Sequence, residues 1–225
     1  MENTPPEKPI RKVTKGSIKS KYDVYSRAAS ATFSVNVGDL KLKTTCTDAT
    51  FVKGPCLNGI VLGVEKPGFF MMDYDLPQKA ANFQFMSSAK ISGKQLKLTY
   101  IHAQKANRTM LDGSLVFDPS NKLSANYSFM AGSGQLKYSY IHQGDRTFEP
   151  AYDFKTNSWN FSMSQKVYGA DTLKTSYDTF NKRLGLEWTR ESKDAGSFKV
   201  SASVNIDALN KSPKLIAERT WNIEI

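Results

Sequence analysis

From about residue 16 onward, apolar and polar positions alternate along the chain. Phe198-Lys199-Val200-Ser201-Ala202-Ser203-Val204-Asn205 is one such run, and Leu40-Lys41-Leu42-Lys43 another. Leu123-Ser124-Ala125-Asn126-Tyr127-Ser128-Phe129 repeats the pattern, and Trp221-Asn222-Ile223-Glu224-Ile225 closes the chain with it. A period of two sends successive side chains to opposite faces of a strand. No helical period interrupts it. Gly, Asn, Asp and Pro, which supply tight-turn dihedrals, punctuate the alternation at about fifteen places, predicting about sixteen strands (about 12 to 16) of roughly 8–12 residues. These turn signals run from Tyr25-Ser26-Arg27 through Lys53-Gly54-Pro55 and Lys193-Asp194-Ala195-Gly196 to Lys211-Ser212-Pro213. Gln95-Leu96-Lys97-Leu98-Thr99-Tyr100-Ile101-His102 is echoed by Gln135-Leu136-Lys137-Tyr138-Ser139-Tyr140-Ile141-His142. Read as a four-strand unit, the echo predicts up-and-down hairpins repeated around a sheet; similar demands on similar strands would explain it equally well.

Sorting each strand by parity separates two surfaces. One carries Phe33, Val35, Leu40, Leu42, Phe70, Met72, Phe85, Leu98, Tyr127, Phe161, Leu186 and Val200, with Arg219 its clearest charged exception. The other is too polar for a dry interior. Its ionisable members include Lys19, Lys21, Lys41, Lys43, Asp73, Lys97, Lys137, Glu149, Asp153, Lys174, Glu187 and Lys199. Periodicity alone fits two architectures. A soluble all-β barrel that binds lipid or another small ligand would put the apolar parity inside. A transmembrane antiparallel up-and-down β-barrel would put it outside, and the twelve charged residues would line an aqueous lumen. Three features favour the second. Sixteen apolar strand faces exceed what one small barrel core can pack. Tyr22, Tyr74, Tyr100, Tyr140, Trp188 and Trp221 fall near strand ends, as in interfacial girdles. The last strand reaches the final residue, which favours closure without a free edge.

Aromatic residues make up 12% of the 225 residues, including ten Tyr and thirteen Phe, which suits strands. The net charge of +10 is compatible with nucleic acid, anionic membranes or anionic solutes. The basic residues are spread thinly over the strands and no recognition motif accompanies them, which argues against nucleic acid. No run is long and apolar enough for a transmembrane helix, a test to which β-strands are blind. Residues 1–15, with Pro5, Pro6 and Pro9, read as a disordered tail without a secretory signal or transit-peptide character. Residues 16–225 form the barrel domain. Cys46 and Cys56 are out of register for a disulfide in a hairpin centred on Gly54. No Cys, His or carboxylate cluster at ligand spacing joins His102 or His142, so no metal, cofactor or enzymatic chemistry is implied.

Several stretches resemble the chloroplast outer envelope pore protein 24 family. They are Val64-Glu65-Lys66-Pro67-Gly68-Phe69-Phe70, Asn107-Arg108-Thr109-Met110-Leu111-Asp112-Gly113-Ser114-Leu115-Val116 and Asn121-Lys122-Leu123-Ser124-Ala125-Asn126. Thr147-Phe148-Glu149-Pro150, Ala202-Ser203-Val204-Asn205 and Pro213-Lys214-Leu215 join them, so the likeness covers residues 16–225 in order. The resemblance implies a barrel in the plastid outer envelope, inserted without a cleaved targeting peptide. It also implies a voltage-responsive pore passing triose phosphates, sugars, phosphate, dicarboxylates, amino acids and nucleotides with little discrimination. Membrane lipid and small solutes are the expected partners, with self-association left open. The family supplies no catalytic residues, so the lumen residues rest on parity alone.

Overall fold

The computed structural model describes residues 15–51, 56–192, 196–208 and 212–224. The proposed tail, apart from Lys15, lies outside the described residues. So do Lys53-Gly54-Pro55, Lys193-Asp194-Ala195, Lys211 and Ile225. Among the described residues the alternation becomes sixteen strands. They are β1 (Lys15–Asp23), β2 (Ala28–Val37), β3 (Leu40–Thr47), β4 (Val61–Lys66), β5 (Phe70–Asp75), β6 (Ala80–Ile91), β7 (Lys94–Ala103) and β8 (Arg108–Asp118). The second half holds β9 (Asn121–Ser128), β10 (Ser133–His142), β11 (Arg146–Asp153), β12 (Ser158–Lys166), β13 (Asp171–Asp178), β14 (Arg183–Ser192), β15 (Gly196–Asn205) and β16 (Lys214–Glu224). Each strand pairs antiparallel with its chain neighbours, and β16 pairs with β1, from Lys15↔Glu224 to Asp23↔Ile216. This is a closed up-and-down barrel with no free edge.

The register keeps one parity on one face all the way round. Lys19 sits opposite Thr32 and Thr220, Lys97 opposite Ser114, Ser114 opposite Ser124, and Ser124 opposite Lys137. The apolar parity forms the outer wall, where Phe33, Leu42, Phe85, Trp159 and Leu186 stand exposed. The polar parity forms the concave wall, where crowding buries its small members Ser34, Ser139, Ser158 and Ala151. Among the described residues only Ala80, Ala81 and Ala151 are buried hydrophobics, so there is no dry core. A soluble ligand-binding barrel would require the reverse. An apolar belt on a closed barrel is matched by lipid instead, because strands paired all the way round leave no open sheet edge to the hydrocarbon.

Hairpins at one rim share a construction. The connections at 24–27, 76–79, 104–107, 129–132, 154–157 and 179–182 each end in a left-handed residue: Arg27, Lys79, Asn107, Gly132, Asn157 and Lys182. Four begin after an aspartate whose carboxylate accepts turn amides. Asp23 takes Tyr25 and Ser26, Asp75 takes Gln78, Asp153 takes Lys155 and Thr156, and Asp178 takes Phe180 and Asn181. This is the hydrogen bonding that makes Asp a turn former. Asp178→Ala should therefore cost about 1 kcal/mol of barrel stability in urea titrations, as loss of a comparable cap does.

Two sequence expectations need correction. The hairpin centred on Gly54 is replaced by a long connection, with a 3-10 turn at Asp48–Thr50 and β4 starting only at Val61. Thr50 donates its hydroxyl to the Asn58 carbonyl at 2.7 Å and ties this connection together. It leaves β4 and β5 with six residues each, below the expected strand length. Cys46 and Cys56 are both free thiols. The echoed octapeptides are β7 and β10, three strands apart and therefore antiparallel in direction. His102 and His142 thus lie at opposite rims, and the echo reflects like demands on like strands rather than a repeated four-strand unit.

Candidate pore lumen

All twelve residues expected to face water lie on the concave, polar parity of the wall. Most are drawn into cross-strand ion pairs. On the β14–β2 arc, Lys199 meets Glu187 at 2.8 Å, while Lys19 and Lys21 converge on Glu218 at 2.8 and 3.5 Å. On the β10–β13 arc, Glu149 receives Lys137 and Lys174 at 3.5 Å each. Lys174 reaches across the whole of β12, as side chains on a concave wall can. On the third arc Lys43 pairs with Glu65, and Asp73 shares their field. Gly63, directly across from Asp73, leaves room for that carboxylate; a Cβ there would collide with its Oδ1. Asp153 sits at the rim as the turn cap already described, its carboxylate turned to backbone amides.

Among the described residues Lys41 and Lys97 make no ion pair. Lys97 borders a wall recess of about 380 Å³ on β7–β10 with Lys122, Lys137, Asp112, Asn126 and Gln135. Among the described residues Lys122 too has no ion pair, so this stretch of the wall holds two unpaired cations. Lys122 shares the parity of Ser124, Asn126 and Ser128 and could have been read from the alternation. Arg108 and Asp112 were harder to read, because the adjacent Met110 and Leu111 blur the period of β8. Glu65, the partner of Lys43, and Glu218, the partner of Lys19 and Lys21, become prominent only once the register is known. At the rim, the Lys66 ammonium 2.8 Å from the Asp39 carboxylate holds that carboxyl below its ordinary pKa.

Aromatic residues edge the apolar belt at both ends. Tyr22, Tyr74 and Tyr100 stand toward the aspartate-capped rim, joined there by stacked Phe83–His102 and Phe85–Tyr100 pairs. Tyr140, Trp188 and Trp221 stand toward the other, where Trp188 packs edge-on against Phe198. Amphipathic rings at both edges of an apolar belt mark the two membrane interfaces.

A sixteen-strand closed barrel with an apolar belt and a charged, open interior is a membrane pore of the outer-membrane type. The comparisons with known proteins give the same class. A porin of Rhodopseudomonas blastica, solved as a triple mutant, superposes with a TM-score of 0.54 at 11% identity, covering 95% of this chain and 99% of that one. The outer membrane protein Omp33 of Acinetobacter baumannii gives 0.54 at 12% identity, covering 94% and 98%. At such identities the likeness is one of fold. In sequence, the family described as Outer envelope pore protein 24 matches residues 14–224. Outer envelope pore protein 24B, chloroplastic, of Arabidopsis thaliana is 49% identical over 211 residues, which is 94% of this chain and 99% of that protein. Outer envelope pore protein 24, chloroplastic, of Oryza sativa subsp. japonica is 43% identical, covering 94% and 100%. The chain belongs to the Outer envelope pore protein 24 family. It is a pore protein of the plastid outer envelope and not an enzyme.

Proposed function

We propose that the lumen passes small hydrophilic metabolites passively and with only mild charge preference. The range includes triose phosphates, sugars, phosphate, dicarboxylates, amino acids and nucleotides, and conduction responds to voltage. The twelve charged residues are its lining. One observation carries this reading: six of the eight lysines assigned to the lumen stand beside carboxylates, at Glu149, Glu187, Glu218 and Glu65. A wide aqueous lumen selects by diameter and by the net field of its lining. Paired charges cancel much of that field, and mobile ions screen the remainder within about 10 Å at 0.1 M salt. The residual preference comes from the β7–β10 wall, where Lys97 and Lys122 are uncompensated.

Reversal potentials across planar bilayers in a salt gradient test the proposal. Wild type should favour anions modestly, and Lys97→Glu with Lys122→Glu should shift permeability several-fold toward cations. Exchanging the paired charges, Lys199→Glu with Glu187→Lys, should leave the ratio unchanged. Near-ideal selectivity for one ion would refute the reading. The voltage response is tested in the same bilayers, where conductance that stays constant across the voltage range would remove that part of it.

A further inference from the structure

The outer wall carries one feature that the pore does not use. Arg219 is the sixth of eleven residues in β16 and faces the lipid side. The other cations on that side lie nearer strand ends, and most are engaged. Arg190 forms a two-point pair with Asp171 at 2.6 and 2.8 Å, Lys66 meets Asp39, and Lys94 donates to the Phe117 carbonyl. Among the described residues Arg219 has only the Trp221 ring, 5.8 Å from its guanidinium. Beside it lies an apolar groove of about 520 Å³ in the seam where β16, β1, β2 and β3 meet. Its floor follows the pairing row from Arg219 through Ser20 and Ala31 to Cys46. Phe33 and Phe198 rise at its sides, and Phe51 stands at the far end beside Asp48, whose carboxylate takes the Ala49 amide.

We infer that this groove holds one membrane lipid with an anionic headgroup. An acyl chain lies along Ser20, Ala31 and Cys46, and the headgroup phosphate accepts hydrogen bonds from Arg219 beside Trp221. A guanidinium is the side chain best matched to a phosphate. Charge complementarity distinguishes this occupant from a second copy of the chain. Among the described strand residues the outer parity offers two carboxylates. Asp171 is spent on Arg190, and Asp118, the last residue of β8, accepts from Ser120 and Asn121. A second barrel therefore brings no free anion to Arg219, whereas an anionic lipid does.

The test is native mass spectrometry of the full chain released from nanodiscs of phosphatidylcholine, phosphatidylglycerol and an uncharged diacyl glycolipid. Wild type should retain one phosphatidylglycerol per chain, with about tenfold preference over phosphatidylcholine. Arg219→Gln should abolish that preference and Arg219→Lys should keep much of it. Ala31→Phe, which fills the groove and leaves Arg219 in place, should also abolish it. Should Ala31→Phe fail to insert, Arg219→Gln decides alone. Equal retention of the three lipids by wild type would overturn the inference. So would phosphatidylglycerol retention by Arg219→Gln at the wild-type level. A lipid-free mass of two chains that Ala31→Phe disperses would overturn it in favour of a second copy.

Discussion

Arginine in place of Leu98 should cost the folded barrel about 2–4 kcal/mol, whereas arginine at the neighbouring Thr99 should leave stability within about 0.5 kcal/mol. The two positions differ by one residue and by everything that surrounds them. Leu98 is the fifth of ten residues in β7, on the apolar parity, and 38% exposed. With hydrocarbon against it, a guanidinium there lacks both water and a partner. Thr99 points into the lumen, with Asp112 directly across on β8. An arginine there gains a carboxylate neighbour and keeps its hydration. Urea titrations of protein refolded into lipid vesicles should show the midpoint falling for Leu98→Arg and holding for Thr99→Arg. The opposite ranking would mean that the wall is inside out, and a soluble barrel would follow. Comparable tolerance at both positions would place the belt outside hydrocarbon altogether.

This contrast also shows what the alternation could say in advance. In β2, β3, β7, β9 and β15 the period of two is clean, and each charged residue assigned inward from those runs lies on the concave wall. Parity needs no partner strand, so it is legible in a single chain. Register is not. Lys19, Lys21 and Glu218 lie about two hundred residues apart and meet because β16 closes on β1. The neutralising role of Glu218 follows from that closure, and that of Glu149 and the isolation of Lys97 follow from the registers of β10–β13 and β6–β8. The long connection after β3 escaped notice because Gly54 and Pro55 look like any hairpin signal. What extends it is the Thr50 hydroxyl on the Asn58 carbonyl, a tertiary contact. Asp153 lies on the inward parity, and its carboxylate also caps a turn at the rim, a part that parity does not show. An aspartate that ends a strand and precedes a turn has two readings, and only backbone geometry separates them.

The β15–β16 pair, next to the seam where β16 closes on β1, leaves no room for a side chain at its first residue. Gly196 opens β15 with φ of 82°. A Cβ there would lie 2.0 Å from the Thr220 carbonyl oxygen and 3.2 Å from the Trp221 Cα, both backbone atoms of β16. Neither can swing aside as a flexible side chain could. Gly196→Ala must therefore bear a left-handed dihedral and push β15 away from β16 where Ser197 pairs with Thr220. The dihedral alone costs about 1–2 kcal/mol, and the collision should raise the total to about 4 kcal/mol or more. Gly38 isolates the first component. Its φ is 63° and nothing lies within 4 Å of a Cβ built there, so Gly38→Ala should lose only about 1–2 kcal/mol. Urea midpoints of the two variants in vesicles should differ accordingly. Gly196→Ala should also give few channels in planar bilayers, because a barrel parted between β15 and β16 exposes two unpaired edges to hydrocarbon. Channels at wild-type frequency from Gly196→Ala would show that β16 can shift to receive the methyl group, and the stability cost should then shrink to that of Gly38→Ala.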